Sequence, residues 1–135
     1  MKTSDAYSLL TSFNLQEVLD SVPNLSLNKG FLFREVNNKK FLVLYADNIK
    51  ESKEFMLQEN ITALEVNMSL GYPDLSLDFL NDFPFLDAIS IIHQPLHNTK
   101  ALNTLHKLTY LSLDSYFYTE LNFDNFPLLK ICAIH

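Results

Sequence analysis

Four histidines and one cysteine are the side chains here best suited to metal or nucleophilic chemistry. His93 and His97 stand four residues apart, the spacing of a helical metal pair, but Pro95 between them opposes a helix and no third ligand is evident. They read as turn or surface histidines, as do His106 and His135. Cys132 would need exposure and a neighbouring base to act as a nucleophile; its place among apolar residues makes it a buried small hydrophobe instead. Asp74, Asp78 and Asp82 recur every four residues and line one face of a helix, where they cannot converge on a cation as a compact oxygen-ligand loop does. A solvated acidic face is the expectation. Gly30 and Gly71 are the only glycines, so no glycine-rich loop is present to cradle phosphate. An enzyme would have to assemble its site from separate loops, bringing together residues such as His93, Asp114 and Glu120. The reading is therefore a protein with no catalytic residue, no metal and no cofactor.

The elements that would position any site emerge from a repeat. Ile61, Leu64 and Val66 are followed by Leu86, Ile89 and Ile91, by Leu108, Leu111 and Leu113, and by Leu129, Cys132 and Ile134, each set apolar at positions one, four and six. The four starts lie 25, 22 and 21 residues apart. A weaker copy starts at Lys39, with Leu42 and Leu44 in phase. Three residues ahead of the last three starts stand Phe83, Leu105 and Phe126, and the dipeptide Phe-Pro occurs at both Phe83-Pro84 and Phe126-Pro127. This pattern resembles the leucine-rich repeat, whose units of ~20 to 29 residues read L-x-x-L-x-L-x-x-N/C-x-L. The resemblance spans residues 61–135. It departs from the family at position nine, where Ser69, Gln94 and Tyr116 replace the Asn or Cys that satisfies turn backbone groups, so no regular asparagine ladder exists.

The resemblance implies an α/β fold: a short solenoid of parallel strands, with positions four and six inward and three, five and seven on the opposite face. The returns between strands should be partly helical. Residues 73–82 have Leu75 and Phe79 at helical spacing after Pro73; residues 98–105 place Ala101, Leu102 and Leu105 similarly; the third return, with Leu121 and Phe123, is irregular.

The chain reads as one domain, residues 1–135, in which 1–60 form an N-terminal cap and 61–135 the repeat units. In the cap, Ala6, Leu9, Leu10, Phe13, Leu15, Val18, Leu19 and Val22 predict an amphipathic helix stopped by Pro23. Phe31–Val36 and residues 41–45 flank Asn37-Asn38-Lys39-Lys40, which has the chemistry of a hairpin turn. Such a cap would cover the exposed first unit of a stack. At the other end the pattern breaks off after the fourth strand, and an uncovered edge strand invites pairing. Ile131, Ala133 and His135 are accordingly expected to mediate edge association, including homo-oligomers.

Composition limits the partners. The chain is 47% hydrophobic and 19% charged, an ordered globular balance, and its formal charge of -6 repels phosphate backbones and anionic membrane surfaces. Neither nucleic acid nor membrane is expected. No signal peptide or membrane span is evident, and the single cysteine suits a reducing compartment, which together read as cytoplasmic. The expected partner is a protein, with a basic one favoured by the acidic charge, held on the outer strand face by Glu65, Asp87, Ile92, Tyr110, Asp114 and Tyr116. Of the aromatic run after the third strand, Phe117 or Tyr118 should turn inward and leave Tyr116 exposed. The functional reading is a noncatalytic adaptor or inhibitor. Its alternatives are an immunity-type protein neutralising a toxin and an architectural subunit using the C-terminal edge.

Overall fold

Two tight turns shape the front of the sheet. Lys29 and Gly30 both take positive φ, as do Asn37 and Asn38, the backbone that a two-residue turn needs to match the twist of the strands it joins. Asparagine tolerates this left-handed region better than most residues, so the Asn-Asn pair sets the second hairpin where the sequence predicts one, with the loop shortened to two residues. The computed structural model describes residues 19–20, 24–44, 48–67, 76–92, 100–114 and 121–134.

Among the described residues seven strands form one open, mixed sheet in sequence order: β1 (Leu25–Asn28), β2 (Phe31–Val36), β3 (Lys39–Leu44), β4 (Ala63–Asn67), β5 (Ala88–Ile92), β6 (Tyr110–Asp114) and β7 (Ile131–Ile134). β1, β2 and β3 pair antiparallel, and β3 to β7 pair parallel. The parallel register aligns Leu42, Leu64, Ile89, Leu111 and Cys132 in one row. That row is position four of each sequence unit, including the weak one starting at Lys39.

The connection from β3 to β4 holds α1 (Ile49–Glu59), the one α-helix of more than a turn among the described residues. Sequence periodicity did not predict it, because its inward face of Ile49, Ser52, Phe55 and Met56 is interrupted by a serine while the apolar Leu57 faces solvent. Asn60 ends it in the left-handed conformation, and the Met56 carbonyl accepts N–H bonds from Asn60 and Ile61. The later returns contain short 3₁₀ helices at Asp78–Asp82, Lys100–Thr104 and Phe123–Asn125. The expected helix over 73–82 is thus a 3₁₀ turn in its described part, and Phe83 followed by Pro84 leaves it no room to lengthen. Asp78 and Asp82 are exposed on it, while Asp74 lies outside the described residues. The expected N-terminal helix also lies outside them, except Leu19 and Asp20, which are helical.

One face of the sheet carries the main core. Leu42, Leu44, Leu64, Val66, Ile89, Ile91, Leu111 and Leu113 are buried against Met56 of α1 and against Leu80, Phe83, Leu102, Leu105 and Phe126 of the returns. The apolar residue three ahead of each unit has a structural role. The carbonyls of Phe83, Leu105 and Phe126 accept the N–H of Leu86, Leu108 and Leu129, closing the same turn three times. A second repeated device links the units at position two. The Thr62 carbonyl receives the N–H groups of Asp87 and Ala88, that of Asp87 receives Thr109 and Tyr110, and that of Thr109 receives Lys130 and Ile131. Backbone groups at the strand starts are thereby satisfied from unit to unit.

Candidate functional site

The opposite, outer face bears the columns that the sequence assigns to binding, and its exposure is graded. On β4, Ala63, Glu65 and Asn67 are all buried; on β5, Ala88 is buried and Ser90 and Ile92 are half-buried. On β6, Tyr110 and Ser112 are half-buried and Asp114 is exposed; on β7, Ala133 is half-buried and Ile131 is 51% exposed. The accessible part of the face is therefore β5 to β7.

Glu65 corrects the sequence expectation. It is 2% exposed and so is not a contact residue for a partner. Arg34 on β2 reaches it across Val43 of β3, donating from Nε at 2.8 Å and Nη2 at 3.2 Å, while the Asn67 side-chain amide donates to Oε2 at 2.9 Å. A planar guanidinium can satisfy both carboxylate oxygens at once, which is why a buried Glu chooses this partner. Sequence reading missed Arg34 because the pairing spans two strand registers.

Asp87 is half-buried and its carboxylate pairs with Lys39 Nζ at 2.8 Å. Of the carboxylates assigned to this face, Asp114 stands at the solvent end without an ion pair among the described residues. Tyr116 and His135, together with Phe117, Tyr118, His93, His97 and Glu120, lie outside the described residues. His106 is exposed and donates through Nδ1 to the Asn125 carbonyl at 3.0 Å. Among the described residues no three His, Cys, Asp or Glu side chains gather as metal ligands, and no helix is long and apolar enough to cross a membrane.

Cys132 also departs from expectation, being exposed rather than buried. It shares the core-side row with Leu111, but among the described residues β7 has a paired strand on one side only, and that row loses its cover there. Ile131 and Ile134 are half exposed on alternate sides of the same strand, and Leu128 just ahead of it is exposed too.

Towards the starts of the parallel strands the outer face forms a pocket of about 180 Å³. Val36, Lys39 and Phe41 of the second hairpin make one wall, and Tyr110, Lys130 and Ile131 the other. Phe41 and Tyr110 meet edge to face, ring centres 5.5 Å apart, in a small cluster with the buried Ala63 and Ala88. The two alanines matter because any longer side chain there would fill the space the rings use. Phe41 and Lys39 were missed as site residues when the hairpin was read only as a cap. Counting the weak repeat from Lys39 would have put Phe41 at position three, in the column of Ala63, Ala88, Tyr110 and Ile131. Comparison with protein-family models, with curated proteins and with solved structures finds no match to this chain.

Proposed function

We propose that this protein is a noncatalytic interaction module, a short leucine-rich-repeat-like solenoid that binds another protein through the outer strand face at β5 to β7. The same turn bond recurring at Phe83, Leu105 and Phe126 and the in-register position-four row support the solenoid reading. The observation that carries the functional reading is the graded opening of the face. Ile92, Tyr110 and Ile131 stand partly exposed among Ser90, Ser112 and Ala133, with Asp114 at the rim. Apolar and aromatic anchors among small residues, bordered by polar ones, are what protein contacts use. An adaptor and an inhibitor would use the same anchors. The net charge of -6 and Asp114 favour a basic partner at that rim, a toxic enzyme neutralised by this protein being the narrower version.

The test is quantitative binding of the native partner, recovered on the intact chain and identified by mass spectrometry. Tyr110→Ala should weaken the complex by a factor of about 30, the effect of a hot-spot residue worth about 2 kcal/mol. Asp114→Lys should chiefly slow association. Unchanged affinity in both variants would refute the strand-face reading.

A second reading rests on β7, whose Ile131, Cys132 and Ile134 are all exposed beside a single strand neighbour. Among the described residues β7 has one strand neighbour, and an apolar strand with an unpaired edge is a template for a further strand, read here as that of a second copy of the chain. In light scattering over a concentration series the wild-type mass should rise, and Ile134→Lys should hold it at the monomer value. A constant monomer mass in the wild type would exclude this association.

A further inference from the structure

The strand-face pocket has a charge opposite to that of the protein around it. Lys39 and Lys130 stand in its two walls, and the chain as a whole carries -6. Lys39 shares its charge with Asp87, but Lys130 is exposed and has no carboxylate partner among the described residues. Arg34, a further cation of this face, is engaged by Glu65. The mouth therefore holds two ammonium groups against one carboxylate, next to walls made of Val36, Phe41, Tyr110 and Ile131. A volume of about 180 Å³ suits a single branched or aromatic side chain, since a cavity of about 150 Å³ admits benzene. Asn37 at the rim adds an amide able to bond a peptide group.

From this combination we infer that the pocket receives one apolar side chain of an acidic peptide segment, with Lys130 and Lys39 holding the carboxylates that flank it. The inference deepens the strand-face reading and rests on it. It divides the face by charge along the strands. The strand starts take acidic sequence around an apolar anchor, and the Asp114 end, at the far end of β6, takes basic sequence. A basic segment at the pocket would set its own cations against Lys130, which disfavours it there.

The probes are three fluorescein-labelled peptides, Asp-Asp-Leu-Asp-Asp, Asp-Asp-Ser-Asp-Asp and Lys-Lys-Leu-Lys-Lys, titrated with the full chain by fluorescence anisotropy at low salt. The acidic leucine peptide should bind at least about tenfold more tightly than either of the others. Lys130→Glu, at an exposed position that leaves the core untouched, should reverse the order of the acidic and basic leucine peptides. Ile131→Ser should weaken the acidic leucine peptide alone. Equal binding of all three peptides, or an order unchanged by Lys130→Glu, overturns the inference. So does free N-acetyl-leucine binding as tightly as the peptide, because the pocket would then be a small-carboxylate site. A native partner lost with Asp114→Lys but indifferent to Lys130→Glu overturns this assignment and leaves the strand-face reading intact.

Discussion

Arg34→Met should destabilise the protein by about 3 to 5 kcal/mol, because it leaves the Glu65 carboxylate buried with only the Asn67 amide to satisfy it. In a thermal melt this corresponds to a fall of roughly 10 °C or more for a chain of this size. The double variant Arg34→Met with Glu65→Leu should recover most of that loss, since replacing both members removes the desolvated charges together with their attraction. A double-mutant cycle from urea titrations measures the coupling between the two residues directly. If Arg34→Met alone costs less than about 1 kcal/mol, as exposed pairs do, the carboxylate must reach water in solution and the outer face is open at β4. The experiment thus bears on function as well as stability, because it decides where the accessible part of the strand face begins.

Phe83→Ala should cost about 3 to 5 kcal/mol, the range for emptying a fully buried aromatic site. Phe83 packs edge to face on Phe79 at 5.5 Å and against Phe85 at 5.6 Å, so the lost ring leaves neighbours on two sides without contacts. Its counterpart Phe126 closes the same turn just ahead of β7, the last strand of the sheet, its ring centre 5.9 Å from that of the exposed Phe123. Phe126→Ala should cost less, under about 3 kcal/mol, since a site bordered by exposed side chains can collapse or admit water. Equal losses for the two variants in urea denaturation would show that the β7 end is as tightly packed as the middle of the sheet.

The contrast between these two phenylalanines also shows what a repeat conveys. From sequence they are equivalent: apolar, followed by proline, three ahead of a unit. Their backbone roles are the same in the structure, because a turn bond is local and depends only on residues within the unit. Their energetic weights differ, because burial depends on what lies on both sides. The same reasoning covers the rows of strand residues. Apolar spacing made Leu64, Ile89, Leu111 and Cys132 equivalent, and the register aligns them, yet only Cys132 is exposed. Helix α1 escaped the periodicity for a related reason, since its inward stripe of Ile49, Ser52, Phe55 and Met56 is short and interrupted by a serine, and only the packing against Phe31 and the sheet shows it to be a core face.

Sequence by itself determined the local and periodic features of this protein. These are the strand positions from β4 to β7, the Asn37-Asn38 hairpin, the recurring apolar positions at Phe83, Leu105 and Phe126, and the inward and outward alternation of each strand. All follow from backbone sterics and a period of two, which residues a few positions apart are enough to specify. Tertiary structure decided which outward positions are open. Glu65 became an interior ion pair because Arg34, 31 residues away in sequence, is brought diagonally across β3 from it by two strand registers. Lys39 and Phe41 came to face Tyr110, Lys130 and Ile131 because a parallel sheet carries residues from distant units to one end. Charge neutralisation and pocket shape depend on distance in space, and distance in space is what a linear pattern does not carry.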